Sequence, residues 1–354
     1  MFDVRKFITD LHNTVECTGS FGFNEPMSAH TTFQVGGPAD LWVCPGRAGF
    51  RDYCAVLLRN AQTEGIPVFV LGGGANLVVA DAGIRGIALD TGNWTGYTRG
   101  AGGDIVFRSG VSADTAAETA CELGLSGLEF LAGMPGSIGG AVWMNARCYE
   151  TSVSDVLAET EILDETFSVK NIPVRQEEYG YKKSPFQNRK VLILSARFSL
   201  DFFSLDFSFL EKNFSSLDFF SLEKKEKKIL KENCEEENFL SKQDEEKKAE
   251  TRRKMEAYRR DREAKGHYRF PSAGSAFKNN RDFGKPTGRI IDELGLKGLV
   301  RGGAMVAPWH GNLIVNVGTA SAADIRALVE EVAAKVKHRL GIDLEPEILF
   351  IGDF

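Results

Sequence analysis

Residues 127–146 read GLEFLAGMPGSIGGAVWMNA, a glycine-rich stretch between two apolar flanks. Four glycines and one proline fall between Gly133 and Gly140. Glycine has no Cβ atom, so a glycine-rich loop can adopt positive φ and bring its backbone close to a ligand. The stretch therefore predicts a loop whose backbone lies against a flat or phosphorylated ligand.

A second glycine loop lies about 60 residues earlier, where residues 68–77 read VFVLGGGANL. A short buried strand leading into three glycines and an asparagine favours a phosphate cradle, because bare backbone N–H groups can approach an anion. The stretch is not GxGxxG and no P-loop lysine follows, which disfavours nucleoside triphosphates. Alone it is equally consistent with a tight turn, but two such loops in one domain favour a dinucleotide site.

The composition is that of a globular protein, with 43% hydrophobic and 26% charged residues. A net charge of -6 argues against nucleic acid as the main partner. No apolar run reaches the roughly 20 residues of a membrane helix, and the charged N-terminus lacks a signal core. These features predict a cytoplasmic protein without a membrane partner. The histidines and cysteines lack the spacing of metal ligands, so no metal site is expected.

All 37 glycines lie outside residues 181–265, so two glycine-rich arms flank a different middle. Residues 200–244 carry a near repeat of phenylalanine-rich segments followed by a Lys/Glu-rich tract. Biased composition with internal repetition predicts an insertion without a catalytic role; packing on a domain or binding a partner is the alternative. The Lys/Glu-rich residues 223–262 favour a solvated helix.

Periodicity and turn signals predict the regular elements of the two arms. Residues 31–43, TTFQVGGPADLWV, predict a strand, a Gly-Gly-Pro turn and a second strand. Helices are expected at residues 2–15, 50–64, 112–123, 288–294 and 322–340. Strands are expected at residues 68–71, 77–79, 87–89, 105–109, 191–198, 313–317 and 347–351.

Three further stretches contain residues that can bind an anion or move a proton. Residues 179–186, YGYKKSPF, are either a surface turn or a cationic contact to an anionic substrate. In FPSAGSAFKNN, residues 270–280, Ser275 on a tight loop beside Lys278 can donate a proton to a developing carbanion. Glu347 opens the terminal strand and either faces water or lies buried in a site.

Taken in order, these stretches resemble the UDP-N-acetylenolpyruvoylglucosamine reductases, flavoenzymes of peptidoglycan precursor synthesis. The resemblance runs through TTFQVGGPAD, VLGGGANLVVAD, GLEFLAGMPGSIGGAVWMNA, GYKKSPF, PSAGSAFKN, HGNLIVN and EPEILFIG. It covers nearly the whole chain except the phenylalanine- and lysine-rich middle. Each motif alone is modest, but seven in the family order are specific.

The resemblance implies an α+β fold, with an FAD-binding unit of the vanillyl-alcohol-oxidase (PCMH) type in two subdomains and then an α/β substrate-binding domain. The FAD-binding unit is expected at residues 1–199, with its internal break near residues 66–72. Residues 200–244 would form the insertion and residues 245–354 the substrate domain. The terminal strand, residues 345–352, is expected to return to the active site. A monomer is expected.

The resemblance also implies non-covalent FAD, NADPH as hydride donor and an enolpyruvyl UDP-sugar as substrate. The residues expected to contact the flavin are Gly72, Gly73, Gly74, Ala75, Asn76, Leu77, Gly133, Met134, Pro135, Gly136, Ser137, Gly139, Gly140 and Asn145.

In the family reaction, hydride adds to the enolpyruvyl double bond, and the carbon next to the substrate carboxylate is protonated. Ser275 matches the family's proton donor, and Glu347 matches the glutamate proposed to stabilise the enol or to act with a water. A Tyr-Arg-x-Ser pattern is usual in the family, but residues 181–184 read YKKS here. Lys182 is expected to replace the arginine as a point charge, without its bidentate fork, and Arg269 is the alternative.

A substrate with a diphosphate and a carboxylate requires several cations. Tyr181, Lys278 and Arg269 are the expected substrate contacts, and Lys183 and Arg289 lie in or near the same motifs. Two rival functions stay open: another FAD-dependent oxidoreductase of this fold, or a sugar-nucleotide binder with impaired catalysis because the family arginine is missing. The presence of both a protonating serine and the glutamate argues against each.

Overall fold

In the computed structural model the described residues are 3–16, 18–100, 102–202 and 242–354. The expected insertion at residues 200–244 falls outside this set, apart from its first three and last three residues. Whether that segment is inert therefore stays a prediction.

The first part of the chain builds a four-stranded sheet covered by two helices. Its strand order is β1-β2-β5-β3, with β1 antiparallel to β2 and the other two pairs parallel. A separate short strand, β4, leaves this sheet and pairs elsewhere. The elements are α1 (Val4–Thr14), β1 (Ser20–Pro26), β2 (Pro38–Cys44), α2 (Phe50–Thr63), β3 (Val68–Leu71), β4 (Leu77–Val79) and β5 (Ile84–Asp90).

Local sequence accounts for the two helices. The Asp3 carboxylate caps α1 by accepting hydrogen bonds from the Arg5 and Lys6 N–H groups. In α1 the apolar residues Phe7 and Leu11 recur at helical spacing, and they pack in one core with residues of α2. The predictions of helices at residues 2–15 and 50–64 are confirmed to within a few residues.

Three expectations for this region differ from the structure. Residues 31–35 were expected to form a strand, but they form a turn in which Gln34 has φ +56, and β1 takes the place beside β2. The turn is held by distant partners, since the Thr32 hydroxyl donates to the Ser272 carbonyl at 2.7 Å. The expected break near residues 66–72 falls inside the sheet, because β3 pairs with β5. Strand β3 is also less buried than expected, with only Leu71 fully enclosed.

A second, five-stranded antiparallel sheet follows, in the order β12-β11-β13-β7-β6. Its core includes Phe107, Leu131, Ile138, Phe186 and Phe198. The elements are β6 (Tyr97–Arg99), β7 (Asp104–Arg108), α3 (Ala113–Glu122), β8 (Leu125–Ser126), α4 (Ile138–Trp143), β9 (Arg147–Cys148), β10 (Thr151–Ser152), α5 (Val153–Val156), β11 (Leu157–Leu163), β12 (Val169–Pro173), β13 (Leu192–Ser199) and β14 (Asp201–Phe202).

Helix α6 (Lys242–Ala264) packs on this second unit, whereas its composition predicts a solvated helix. Thr251, Met255 and Arg262 are buried, and Met255 joins the core of the second sheet. Arg259 bridges to Asp114 of α3 at 2.7 Å. Charge density therefore misled the prediction, because the charges on one face serve as ion-pair partners for α3.

The C-terminal part forms a three-stranded antiparallel sheet, β15-β16-β17, against helix α8. Helix α8 presents Ile325, Leu328, Val332 and Val336 to this core, as its periodicity predicts. The elements are α7 (Thr287–Glu293), β15 (Val300–Arg301), β16 (Ala304–Val306), β17 (Ile314–Asn316), α8 (Ala322–Leu340) and β18 (Leu349–Ile351).

The C-terminal part is joined to the first by main-chain hydrogen bonds and by one side-chain carboxylate. Strand β18 pairs in parallel with β4, with Leu349 opposite Leu77. The Asp81 carboxylate accepts hydrogen bonds from the Ala322 and Ala323 N–H groups at the start of α8. These contacts fix the distance between the units and leave a cavity between them. Within the described ranges, no helix combines the length and apolarity needed to cross a membrane.

Candidate active site

A cavity of about 1700 Å³ lies where the three units meet. It exceeds the roughly 300–1,000 Å³ of pockets for drug-sized ligands, so it has room for a dinucleotide and part of a second ligand. Both glycine loops line it, together with the turn at Lys182, the loop around Ser275 and the start of the terminal strand.

The two glycine loops touch each other through bare backbone. A Cβ atom on Gly73 would stand 2.7 Å from the Cα of Gly136, a distance that real Cβ atoms do not show. A Cβ atom on Gly72 would stand 2.5 Å from the Ser137 hydroxyl. Only glycine fits at these positions, and the result is a floor of exposed main chain beneath the cavity.

All but one of the residues expected to contact a flavin line this cavity. These are Gly72, Gly73, Gly74, Ala75, Asn76, Leu77, Gly133, Met134, Pro135, Gly136, Ser137, Gly139 and Gly140.

Asn145 has a different task from the expected flavin contact. Its side chain is buried, its Nδ2 donates to the Gly180 carbonyl at 2.9 Å, and its Oδ1 accepts from the Ser154 N–H at 2.9 Å. Both ends of the amide are therefore occupied by protein groups. Asn145 ties the turn at Lys182 to the segment that follows α4.

The residues expected to be catalytic converge at one end of the cavity. The Lys182 Nζ lies 2.6 Å from the Glu347 Oε1, and both side chains are about nine-tenths buried, at 13% and 10% exposure. The Glu347 N–H donates to the Ala276 carbonyl at 2.8 Å, so Glu347 lies beside the loop that carries Ser275. Ser275 itself is half-buried and lines the cavity.

The glycine loop at residues 72–77 also contacts Glu347 directly. The Asn76 side-chain amide donates to the Glu347 carbonyl at 3.1 Å, and the Asn76 carbonyl accepts from the Leu349 N–H at 3.0 Å. Glu347 is thereby fixed to both the glycine loop and the Ser275 loop. A group bound in the glycine cradle and a substrate near Ser275 would meet at this point.

The expected substrate contacts divide between those at the cavity and those away from it. Tyr181 and Arg269 line the cavity, and the Arg269 guanidinium lies 5.0 Å from the centre of the Trp309 ring. Lys278 does not line it and pairs with Glu345 instead. Arg289 is likewise away from the cavity, paired with Glu293. Of the cations that the motifs predict, Lys182 and Arg269 line the cavity, and most of the cationic residues that line it lie outside the motif predictions: Arg147, Arg189, Lys190, Arg262, Lys265 and Arg281.

Comparison with known proteins agrees with this geometry. Residues 266–351 match the family model described as UDP-N-acetylenolpyruvoylglucosamine reductase, C-terminal domain, and residues 51–171 match an FAD binding domain. The chain is 37% identical over 363 residues to the UDP-N-acetylenolpyruvoylglucosamine reductase of Treponema denticola, covering 97% of this chain and 98% of that protein. The chain belongs to the UDP-N-acetylenolpyruvoylglucosamine reductase family.

Two further relatives extend the comparison. The reductase of Borreliella burgdorferi is 35% identical over 329 residues, covering 92% of this chain and 93% of that protein. The crystal structure of UDP-N-acetylenolpyruvylglucosamine reductase from Thermus caldophilus superposes with a TM-score of 0.67 at 28% identity, over 95% of this chain and all of that chain. The fold is therefore the expected PCMH-type FAD-binding unit followed by the family's C-terminal domain, and the chain is an FAD-dependent oxidoreductase.

The structure supports FAD through two observations of its own. The glycine floor leaves room for a ligand backbone where side chains would block it. The Ser109 hydroxyl lines the cavity, is fully buried and has no hydrogen-bond partner among the described residues. A buried hydroxyl without a partner is costly, so a ligand that accepts or donates a hydrogen bond there would remove the cost.

Several cavity residues were missed by sequence reasoning. Arg262 of α6 donates to the Ala132 and Phe130 carbonyls and so holds the loop before Gly133. His267 and His310 both line the cavity with ring centres 5.6 Å apart. Burial, and to a smaller extent the charge of the neighbouring His310, lowers the pKa of His267 to about 4. The His267 imidazole is therefore neutral at pH 7. No local signal marks these residues, because they come together only through tertiary packing.

We expect Ser109→Ala to weaken FAD binding by about 1 kcal/mol, or roughly five-fold, because it removes a hydrogen bond made only with the ligand. The free energy of unfolding of the apoprotein should stay the same or rise slightly, since the substitution removes an unsatisfied polar group. FAD titration of the apoprotein and urea unfolding measure the two quantities. Unchanged FAD affinity would show that the hydroxyl does not face the cofactor.

Proposed function

We propose that this chain reduces the enolpyruvyl group of UDP-N-acetylglucosamine enolpyruvate to give UDP-N-acetylmuramate, a step of peptidoglycan precursor synthesis, with FAD as cofactor and NADPH as hydride donor. The observation that carries the proposal is the convergence of Ser275, Lys182 and Glu347 at one end of a glycine-lined cavity. Family membership supports the same reaction.

The chemistry that FAD supplies when bound is hydride transfer, with NADPH as the source of the electrons. Hydride addition to the enolpyruvyl double bond leaves negative charge on the carbon next to the substrate carboxylate. The protein must stabilise that charge and then deliver one proton to that carbon.

Ser275 is suited to deliver the proton. It follows Gly274, whose φ of +73 makes the tight bend that turns the serine toward the cavity. The loop is held after Ser275 by the Asn312 side chain, which accepts from the Phe277 N–H at 2.9 Å and donates to the Phe277 carbonyl at 2.8 Å. It is held before Ser275 by the Thr32 hydroxyl, which donates to the Ser272 carbonyl at 2.7 Å. A hydroxyl on a rigid loop can protonate the developing carbanion without a change in backbone conformation.

Lys182 and Glu347 are suited to bind and stabilise the enol. The ammonium group of Lys182 lies at the cavity wall beside a carboxylate, so a substrate carboxylate placed there would share its charge. Arg269, the alternative cation, is exposed and stacks over Trp309, with no contact to Glu347. This contrast favours Lys182 as the replacement for the family arginine. A lysine keeps the charge but not the two-pronged geometry.

Other expectations stay proposals. We assign residues 1–199 to FAD and the C-terminal part, expected at residues 245–354, to the substrate, although α6 packs on the first of these. The cytoplasmic location and the monomeric state remain predictions. A sugar-nucleotide binder with impaired catalysis is disfavoured by the buried pair of Lys182 and Glu347, because a site that only binds has no need of it.

We expect Ser275→Ala to leave reduction of the flavin by NADPH intact and to lower turnover of the enolpyruvyl UDP-sugar by on the order of 10²-fold or more. The substitution removes the proton donor but no contact of the flavin cradle. Stopped-flow absorbance measures flavin reduction, and steady-state NADPH oxidation measures turnover. Ser199→Ala, at the exposed end of β13, is the control. Equal losses in the two reactions would refute the role of Ser275.

We expect Lys182→Ala to lower kcat/KM for the enolpyruvyl UDP-sugar about 100-fold, the scale of one lost charge stabiliser in an active site. Lys182→Arg should retain or raise activity, because arginine restores the bidentate fork. Both variants are measured by steady-state NADPH oxidation at full FAD content. Wild-type activity in Lys182→Ala would exclude Lys182 as the carboxylate partner.

A further inference from the structure

The backbone turn that carries Lys182 has only two residues between its hydrogen-bonded ends. Gly180 and Lys183 exchange two main-chain hydrogen bonds of 3.1 Å, which leaves Tyr181 and Lys182 at the tip. Lys182 has φ +57. This left-handed region costs residues other than glycine about 1–2 kcal/mol. Such a conformation persists only where the surrounding structure holds it.

Two side-chain amides hold this turn by its carbonyl groups. The Asn145 Nδ2 donates to the Gly180 carbonyl at 2.9 Å, and the Gln187 Nε2 donates to the Lys182 carbonyl at 3.0 Å. The Gln187 Nε2 also donates to the Trp143 carbonyl at 3.1 Å, at the last residue of α4. The turn is thus tied to α4, the helix that begins within the glycine-rich residues 133–140.

The Asn145 amide is itself fixed in orientation. The Asn145 Oδ1 accepts from the Ser154 N–H, so the orientation of the amide is determined by two partners. Neither an aspartate nor a glutamate could replace the two donors, because a carboxylate only accepts. The chemistry of the amides therefore matches the carbonyls that they hold.

A lysine needs such support more than an arginine would. Its side chain is a flexible four-carbon stem with a single charged end, so the position of the ammonium depends on the backbone and on its partner. Here the partner is Glu347 at 2.6 Å. A shift of the turn by about one ångström would weaken this pair and displace the charge that meets the substrate.

We propose that Asn145 and Gln187 form an amide clamp, a pair of positioning residues that holds the Lys182 backbone so that its ammonium group meets the substrate carboxylate. The proposal rests on the function proposed above for Lys182. In this proposal the clamp acts through Lys182; Tyr181, at the tip of the same turn, has its own contact, because its hydroxyl accepts from the Asn279 N–H at 3.4 Å. The effect of the clamp must therefore disappear when the lysine side chain is removed.

The test is a double-mutant cycle with Gln187→Met and Lys182→Ala on the FAD-loaded enzyme. Methionine keeps much of the volume of glutamine and removes the N–H donor. With Lys182 present, Gln187→Met should lower kcat/KM for the enolpyruvyl UDP-sugar about 10-fold, mainly by raising KM, while flavin reduction by NADPH changes by less than about two-fold. In the Lys182→Ala background the same substitution should change kcat/KM by less than about two-fold.

A full loss of about 10-fold in the Lys182→Ala background would overturn the proposal, because Gln187 would then act without the lysine. If Lys182→Ala is as active as the wild type, the function proposed for Lys182 fails as well, so the two failures are distinguishable. Asn93→Leu is the matched control, since the Asn93 amide also donates to a main-chain carbonyl, that of Cys44 at 3.4 Å, and Asn93 does not line the cavity. It should leave both reactions unchanged.

Asn145→Asp provides the second arm if Gln187→Met loses FAD. Aspartate keeps the acceptor for the Ser154 N–H and loses the donor to Gly180. The clamp predicts the same dependence on Lys182 for this variant. A loss that persists without Lys182 would overturn the proposal by this route too.

Discussion

The contact on which the rest of the site depends is the one between Gly73 and Gly136. Two loops from different units meet there with backbone against backbone, at a separation that leaves no room for a Cβ atom on Gly73. The interaction contributes little energy of its own. Its importance is geometric, because it sets the depth of the cavity floor and the relative position of the loops that leave it.

The residues proposed as catalytic take their positions from these two loops by short connections. From the loop at residues 72–77, Asn76 bonds to the main chain at Glu347 and Leu349 and so fixes the terminal strand. From the loop at residues 133–140, α4 leads to Asn145 and to the turn at Lys182. The ion pair between Lys182 and Glu347 therefore joins the ends of two independent connections to the same floor. A change in the loops alters both partners at once.

The sequence could reveal features that depend on neighbouring residues. Glycine spacing predicted both loops, and apolar periodicity predicted α1, α2 and α8. Patterns failed where distant partners decide the structure. The turn at Thr32 is held by Ser272, some 240 positions away, although its residues favour a strand. Helix α6 looked solvated because the ion-pair partners of its charges lie on α3.

Two residues show the same limit within the site. The family resemblance implies a flavin contact for Asn145, but Asn145 does not line the cavity and its amide bonds to Gly180 and Ser154. Arg262 gave no signal because it is one of many charged residues on α6, and only packing against the Phe130 and Ala132 carbonyls distinguishes it. Motif membership locates a loop, and tertiary hydrogen bonds decide what each of its side chains does.

The FAD affinity of Gly73→Ala tests most directly whether the contact between the loops organises the site. A methyl group at this position must push Gly136 away, so overpacking should cost about 1–3 kcal/mol and weaken FAD binding by about 5-fold or more. Gly22→Ala on β1 is the control, because its new Cβ atom meets only the flexible end of the Glu25 side chain. FAD titration of the two apoproteins should show the loss in Gly73→Ala alone. Wild-type affinity in Gly73→Ala would contradict the claim that the backbone contact sets the cavity.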